Sequence, residues 1–271
     1  MTSYTIGLDD TDSGRAALEW VDQLSPGPKD IVKIVTVAEP LRTATNRRLT
    51  VAAESMRRSN PRTQVVEVVA DGPVVARLTA EAADGDFLVV GAHRGHVLRS
   101  MMTGWRPERI AVASSVPTVV VPADWRRFDG DGDVVVGVNT AEESPAALVA
   151  ARFADALGRS VILVSARAIA RSSGSAATPR RSVSAGTALT VEHDVLVEVQ
   201  HAVRDRYPHL DVRTTTTVGD PGDVLTAAAE EALLVVLGRE HRTAARGALF
   251  GSVGMHLIQG SRTPLCVVPA P

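Results

Sequence analysis

Three segments of this chain recur at one spacing, and that recurrence limits the possible folds more than any single motif. Asp86–Gly91 (DFLVVG) matches Leu233–Gly238 (LLVVLG), Gly104 matches Gly251, and Val116–Pro122 (VPTVVVP) matches Thr263–Pro269 (TPLCVVP). All three share one offset of 147 residues (238 − 91, 251 − 104, 264 − 117). An earlier pair, Ser3–Asp9 (SYTIGLD) and Asp133–Asn139 (DVVVGVN), is offset by 130 (139 − 9). The helix-like openings Ser13–Trp20 (SGRAALEW) and Ser144–Ala151 (SPAALVAA) follow it. Matches in one order at one offset mean a tandem duplication, and a period this long makes each copy a domain rather than a short repeat. The difference, 147 − 130 = 17 residues, is an insertion in the second copy. Arg167–Thr190, rich in Ser, Ala, Gly and Arg and without periodicity, is expected to hold it as a mobile loop.

Each copy reads as strands alternating with helices. Strands are expected near 3–9, 31–37, 64–70, 87–91 and 117–121, then near 133–138, 160–165, 211–217, 233–237 and 264–268. First-copy helices are expected near 13–24, 44–58, 73–83 and 105–114. Continuous apolar runs such as Val119–Val121 and Val161–Val164 suit strands buried on both faces. Aromatics are only 3% of residues against 45% apolar, so the interior must be built from Val, Leu, Ile and Ala. The expected class is α/β, with two tandem open five-stranded parallel sheets flanked by helices and a Rossmann-like topology. The domains are expected at 1–122 and 133–271, joined by 123–132 (ADWRRFDGDG), which reads as a flexible joint.

Charge and cysteine usage remove several classes. The 29 basic and 31 acidic residues leave a formal charge of −2, which is no footprint for nucleic acid or an anionic membrane. No apolar stretch approaches the ~20 residues of a spanning helix. Cys266 is the only cysteine, so no intramolecular disulfide forms, in keeping with a reducing cytoplasm. The expectation is a soluble cytoplasmic protein.

Ligands of open parallel sheets bind beyond the carboxyl ends of the strands, near the switch in strand order. Asp9 and Asn139 stand there, able to accept hydrogen bonds from a ribose or an adenine amino group. As residues before a helix they equally suit a turn and cap. The stretches Gly91–Gly104 and Gly238–Gly251 follow the fourth strand of each copy. A glycine at the strand end admits a phosphate, and the closing glycine precedes a helix whose first N–H groups favour an anion. Ser252 adds a hydroxyl. Gly72-Pro73 and Gly219–Val224 (GDPGDV) read as tight turns into the third helix of each copy.

Together these residues resemble the universal stress protein family. Its opening strand ends in a V-G-V-D-G-S-like run, and a G-D-P turn precedes its third helix. The pattern G-x2-G-x9-G-[S/T] follows its fourth strand, and a C-P-V-L-V-V-like strand closes it. The resemblance implies a sheet like that of the adenine-nucleotide alpha-hydrolases, with ATP or another adenine nucleotide as ligand, with or without Mg2+. Carried over by position, the first copy offers Asp9, Val37, Gly91 and Gly104, but has Arg94 for the second glycine and Trp105 for Ser or Thr. Gly95 could replace that glycine by a one-residue shift. The second copy offers Asn139, Ala166, Gly238, Gly251, Ser252 and Val253, with His241 for the second glycine and Gly254 for a later serine. Arg94 and His241 could give phosphate side-chain contacts or close the site. The second copy, which keeps Gly-Ser, is the better candidate.

The resemblance implies a nucleotide-responsive stress-signalling protein without robust catalysis, acting on an unidentified protein partner. The alternatives are a nucleotide-free scaffold and a slow ATPase. It also implies pairing through the last strands, Thr118–Val121 and Leu265–Val268, within the chain or in a homodimer. Other readings are weaker. Ile6–Ser13 (IGLDDTDS) resembles the opening of tRNA-modifying ligases that act on cytidine, but no zinc ribbon or basic surface follows. His93 and His96 have a metal-like spacing without a Cys or carboxylate partner, and read as solvated loop histidines. Asp129, Asp131 and Asp133 lack the Gly and Glu that a calcium loop needs. Ser144 and Ser252 have no His/Asp arrangement for nucleophilic catalysis. Cys266 reads as a small core residue.

Overall fold

Strands form where Val, Ile and Leu run together, and helices where alanine recurs at helical spacing. The computed structural model describes residues 1–38, 43–93, 106–127, 130–140, 144–167, 185–239 and 251–270. They divide into two compact units, one of residues 1–130 and 238–271, the other of residues 131–237.

The first unit begins β1 (Ser3–Gly7), α1 (Asp12–Gln23), β2 (Ile31–Ala38), α2 (Thr43–Ser59) and β3 (Gln64–Asp71). It continues with α3 (Val74–Ala82), β4 (Phe87–Ala92), α4 (Pro107–Ala113) and β5 (Thr118–Pro122). Its strands lie in the order β3-β2-β1-β4-β5 and are all parallel. β1 therefore has β2 on one side and β4 on the other, with Gly7 level with Val35 and with Val90. The switch in strand order falls between β1 and β4, where a crevice for ligand is expected.

β4 and β5 are buried along their whole length, as their unbroken apolar runs require. On α1, Ser13, Ala16, Ala17, Trp20 and Val21 are buried, the spacing of one helical face against the sheet. The unit also contains α8 (Ser252–Gly260) and β10 (Leu265–Val268). β10 runs antiparallel to β5, with Cys266 opposite Val119.

The second unit contains β6 (Asp133–Gly137), α5 (Ser144–Leu157), β7 (Val161–Arg167), α6 (Ala185–Arg206), β8 (Val212–Val218) and α7 (Pro221–Ala229). β9 (Ala232–Gly238) completes it up to Leu237. Its order, β9-β6-β7-β8 with every pairing parallel, repeats that of β4-β1-β2-β3. β8 is exposed from Arg213 to Val218, and its four threonines supply β-branched yet polar side chains to that edge.

Two local expectations change, and the reading of Gly72 as a turn residue stands. α6 begins at Ala185, so 185–190 are helical rather than loop; 168–184 lie outside the described residues. Residues 123–127 of the supposed joint are held in place. Ala123 N–H donates to Ala92 O (2.8 Å), Trp125 is buried, and Arg127 pairs with Asp22 (3.1 Å). The Gly72 turn has φ +118°, a backbone only glycine adopts readily, so the turn itself explains that residue.

Candidate functional site

At the switch point of the first unit, Leu8 N–H extends the β1–β2 ladder to Val35 O (2.8 Å) and delivers Asp9 to the strand end. One carboxylate oxygen of Asp9, Oδ1, accepts from the Thr11 hydroxyl (2.5 Å) and the Gly14 N–H (3.1 Å). Thr11 in turn shares a hydrogen bond with Ser13 Oγ (2.7 Å). Free N–H groups at a helix start need acceptors, and Asp9 supplies one to α1. A Cβ on Gly14 would lie 2.6 Å from Asp9 Oδ1, so glycine is what lets the carboxylate reach the helix.

Gly91 has a similar explanation. A Cβ there would stand 2.0 Å from Ser13 O and 2.2 Å from its carbonyl carbon. The end of β4 is pressed against the first turn of α1, and the space freed by the glycine is filled by protein. Val37 is half-buried in β2 beside Ala70 of β3. Gly104 lies outside the described residues, as do Arg94, Gly95, His96, Trp105 and His241. His93 is not a solvated loop histidine: its Nε2 is buried without a hydrogen-bond partner among the described residues.

A groove of about 1010 Å³ opens beside Asp9 between α1 and α2. Leu18, Val51, Ala52 and Met56 give it an apolar floor, and Arg48–Asp10 and Arg15–Asp12 ion pairs stand among its charged lining. Both pairs are exposed, so solvent screens them and their arginines can exchange partners at little cost.

Of the later glycine pattern, in the same unit, Gly238, Arg239 and Gly251 are among the described residues. Gly251 is the N-cap of α8 and exposed, and a Cβ on it would meet nothing among the described residues within 4 Å. Ser252 is exposed at the first helical position and Val253 is half-buried behind it. The first N–H groups of α8 lack intrahelical acceptors and carry the positive end of its dipole. Gly238 closes β9.

In the second unit, Val138 N–H donates to Val164 O (2.8 Å), setting exposed Asn139 beyond β6 as Leu8 sets Asp9. Ala166 is half-buried in β7 beside Thr217. The GDPGDV segment is a cap: Asp220 accepts from Gly222 N–H (2.9 Å), and Pro221 opens α7.

The two patterns therefore differ: Gly251 and Ser252 are exposed, whereas at the earlier pattern Ser13 fills the space beside Gly91. Among the described residues no three metal-ligating side chains cluster. Cys266 is wholly buried in β10, and burial pushes its thiol far above the reactive range. Sequence reasoning passed over Thr11 and Ser13, although the DDTDS run signals a capped helix start. It also passed over Arg239, whose Nη1 donates to Val112 O (2.5 Å) and Ser114 O (3.0 Å), a contact that no local pattern marks.

The strand order and the flanking helices define an open-sheet α/β protein with mostly parallel strands. The profile of the universal stress protein family matches residues 132–269, about half of the chain (269 − 132 + 1 = 138 of 271 residues). The chain belongs to the universal stress protein family. No curated protein sequence matches it. Among solved structures, a universal stress protein from Archaeoglobus fulgidus DSM 4304 has a TM-score of 0.67 at 14% identity, covering 99% of this chain and 96% of its own. A protein of unknown function from Pseudomonas aeruginosa PAO1 has a TM-score of 0.65 at 13% identity, covering 100% and 93%. The cytoplasmic domain of a prokaryotic cation chloride cotransporter has a TM-score of 0.57 at 10% identity, covering 99% and 96%. At these identities the likeness is one of fold, and function must be argued from the site. No helix among the described residues is long and apolar enough to cross a membrane.

Proposed function

We propose that this protein is a nucleotide-responsive stress-signalling protein that holds an adenine nucleotide by its phosphates at Gly251–Ser252–Val253. The observation that supports the reading is the exposed start of α8, where a Cβ on Gly251 would meet no described residue within 4 Å and exposed Ser252 adds a donor. Backbone N–H groups and a helix dipole aimed at one point favour an anion. Bound phosphate would order that segment and alter a surface offered to a protein partner in the cytoplasm, with Mg2+ as a companion ion where a triphosphate binds. Pairing through the last strands, within the chain or in a homodimer, belongs to the same proposal, as does the absence of robust catalysis.

Calorimetry with ATP, ADP, AMP and cyclic AMP tests it. The parent should release heat with at least one of them, and Ser252→Arg should lose that heat while keeping its circular dichroism spectrum. A parent that binds none of the four, or an S252R variant that binds as well as the parent, refutes the reading.

A second reading, a nucleotide-free scaffold, is favoured for the first copy. There Asp9 Oδ1 is engaged by Thr11 and Gly14, and Ser13 fills the space that Gly91 leaves. We read that copy as the structural partner of the second.

A further inference from the structure

Among the described residues β3 and β8 each pair with one strand only, β2 and β7, so each leaves one edge unpaired. Which residues face that edge follows from the ladder bonds. Gln64 N–H donates to Asp30 O (3.3 Å), toward β2, and the direction of bonding alternates along a strand. The main-chain groups of Val65, Glu67, Val69 and Asp71 therefore turn outward. In the second unit Val161 N–H donates to Asp211 O (2.9 Å) and Gly219 N–H to Arg167 O (2.8 Å), both in the ladder to β7. Val212, Thr214, Thr216 and Val218 turn outward there. The first outward carbonyl of each edge is already taken by the covering helix. On α2, Arg57 Nη2 donates to Val65 O (3.1 Å). On α6, Gln200 Nε2 (2.7 Å) and Arg204 Nη2 (3.1 Å) both donate to Val212 O. These are equivalent positions of the duplicated chain, since 204 − 57 and 212 − 65 both equal 147. Water would satisfy a carbonyl at a sheet edge, so what each arginine adds is the exclusion of another strand.

We propose that Arg57 and the Gln200–Arg204 pair close these two edges against a strand from a second copy of this chain, and that β8 is the edge that opens when its clamp is removed. The edges differ beyond the guarded carbonyl. On β3, Glu67 Oε1 accepts from Arg57 Nη1 (2.9 Å), and Asp71 is the last outward residue. Two antiparallel copies of β3 centred on Val69 would set Glu67 against Asp71, and like charges directly opposite destabilise a pair. On β8 the same positions are Thr214 and Val218 (67 + 147, 71 + 147), which carry no charge. Copies of β8 centred on Thr216 would set Thr214 against Val218 and Thr216 against Thr216, pairs that suit a ladder. Val218, 60% exposed, would gain cover. Thr214–Val218 holds no proline, lysine or carboxylate to deter pairing. The Gln200–Arg204 clamp is then what denies an incoming strand its first acceptor.

Light scattering on the full chain over a range of concentrations tests the proposal in the parent, in Arg57→Ala and in the double variant Gln200→Ala, Arg204→Ala. The double variant should associate about tenfold or more tightly than the parent, since one freed carbonyl on each of two strands restores two hydrogen bonds. In its associated form, hydrogen exchange read by mass spectrometry should slow at 214–218 and stay unchanged at 65–71. Adding Thr216→Pro removes an outward N–H without breaking the ladder to β7, and should return the mass to that of the parent. Arg57→Ala should keep the parent's mass, because Glu67 and Asp71 remain on that edge. A double variant with the parent's mass at every concentration overturns the proposal, as does association that leaves exchange at 214–218 unchanged. Association undiminished by Thr216→Pro overturns pairing through β8; the exchange measurement decides this alone should the proline alter the circular dichroism spectrum. Arg57→Ala association as tight as the double variant's overturns the inequality of the two edges.

Discussion

Replacing Gly91 by alanine separates a packing glycine from a ligand glycine. The added methyl would sit 2.0 Å from Ser13 O, 2.2 Å from Ser13 C and 2.6 Å from Ser13 Cβ. Ordinary contact begins near 3.4 Å, so β4 and the start of α1 must part by about 1.4 Å (3.4 − 2.0). Neither side can yield by a side-chain rotation, because the nearest atoms are backbone. Moving Ser13 also disturbs the buried face of α1, including Ala16, Ala17 and Trp20. Overpacking a dense interior costs about 1–3 kcal/mol, and a clash against backbone belongs at or above the top of that range. For a unit of this size each kcal/mol moves the melting temperature by about 2–4 °C, so a loss of ~3 kcal/mol lowers it by about 6–12 °C. Thermal melting followed by circular dichroism measures this directly. Gly251→Ala is the control: its methyl meets nothing among the described residues within 4 Å, and losing a glycine N-cap for alanine costs at most about 1 kcal/mol. A Gly91→Ala protein that melts within ~2 °C of the parent would refute the packing argument.

Other expected outcomes follow from the same geometry. Asp9→Ala removes the acceptor for Gly14 N–H and the Thr11 hydroxyl, and should cost about 0.5–2 kcal/mol in urea unfolding; no measurable change would mean that Asp9 does not cap α1. Cys266 should resist a thiol-specific dye in the folded protein and react once the chain is unfolded, because burial holds the thiol protonated. Its folded pKa is raised above the ordinary value of 9.0, so above about pH 9 the unfolded chain loses the proton first and stability falls as pH rises. Cys266→Val should flatten that alkaline slope of melting temperature against pH, and an unchanged slope would contradict the assignment.

The fold was legible because its causes are local and repeated. Apolar runs such as Val119–Val121 can only be buried strands, and a constant offset fixed their correspondence between copies. The register of GDPGDV was equally readable, since Asp-Pro before an apolar run caps a helix, as Asp220 does. The limits of α6 were not readable. Its low-contrast start, Ala185–Thr190, carries no periodic apolar face, and helix propensity alone gives no signal there.

The site was half legible for a different reason. Gly91 opens the first pattern and Gly251 closes the second, and sequence reasoning read both as room for phosphate; yet at Gly91 α1 takes the room, while a Cβ on Gly251 would meet no described residue. That distinction depends on which backbone lies opposite, a tertiary fact that spacing does not encode. Arg239 shows the same limit, since its partners lie 125 and 127 residues away. The burial of His93 Nε2 was likewise hidden by a loop-like composition.

The two copies are unequal: one phosphate site works in a duplicated chain. Mass spectrometry of small molecules released from the purified, heat-denatured protein checks this. About one adenine nucleotide per chain is expected, retained in Asp9→Ala and absent from Ser252→Arg. No nucleotide in the parent, two per chain, or one that survives in S252R would contradict it.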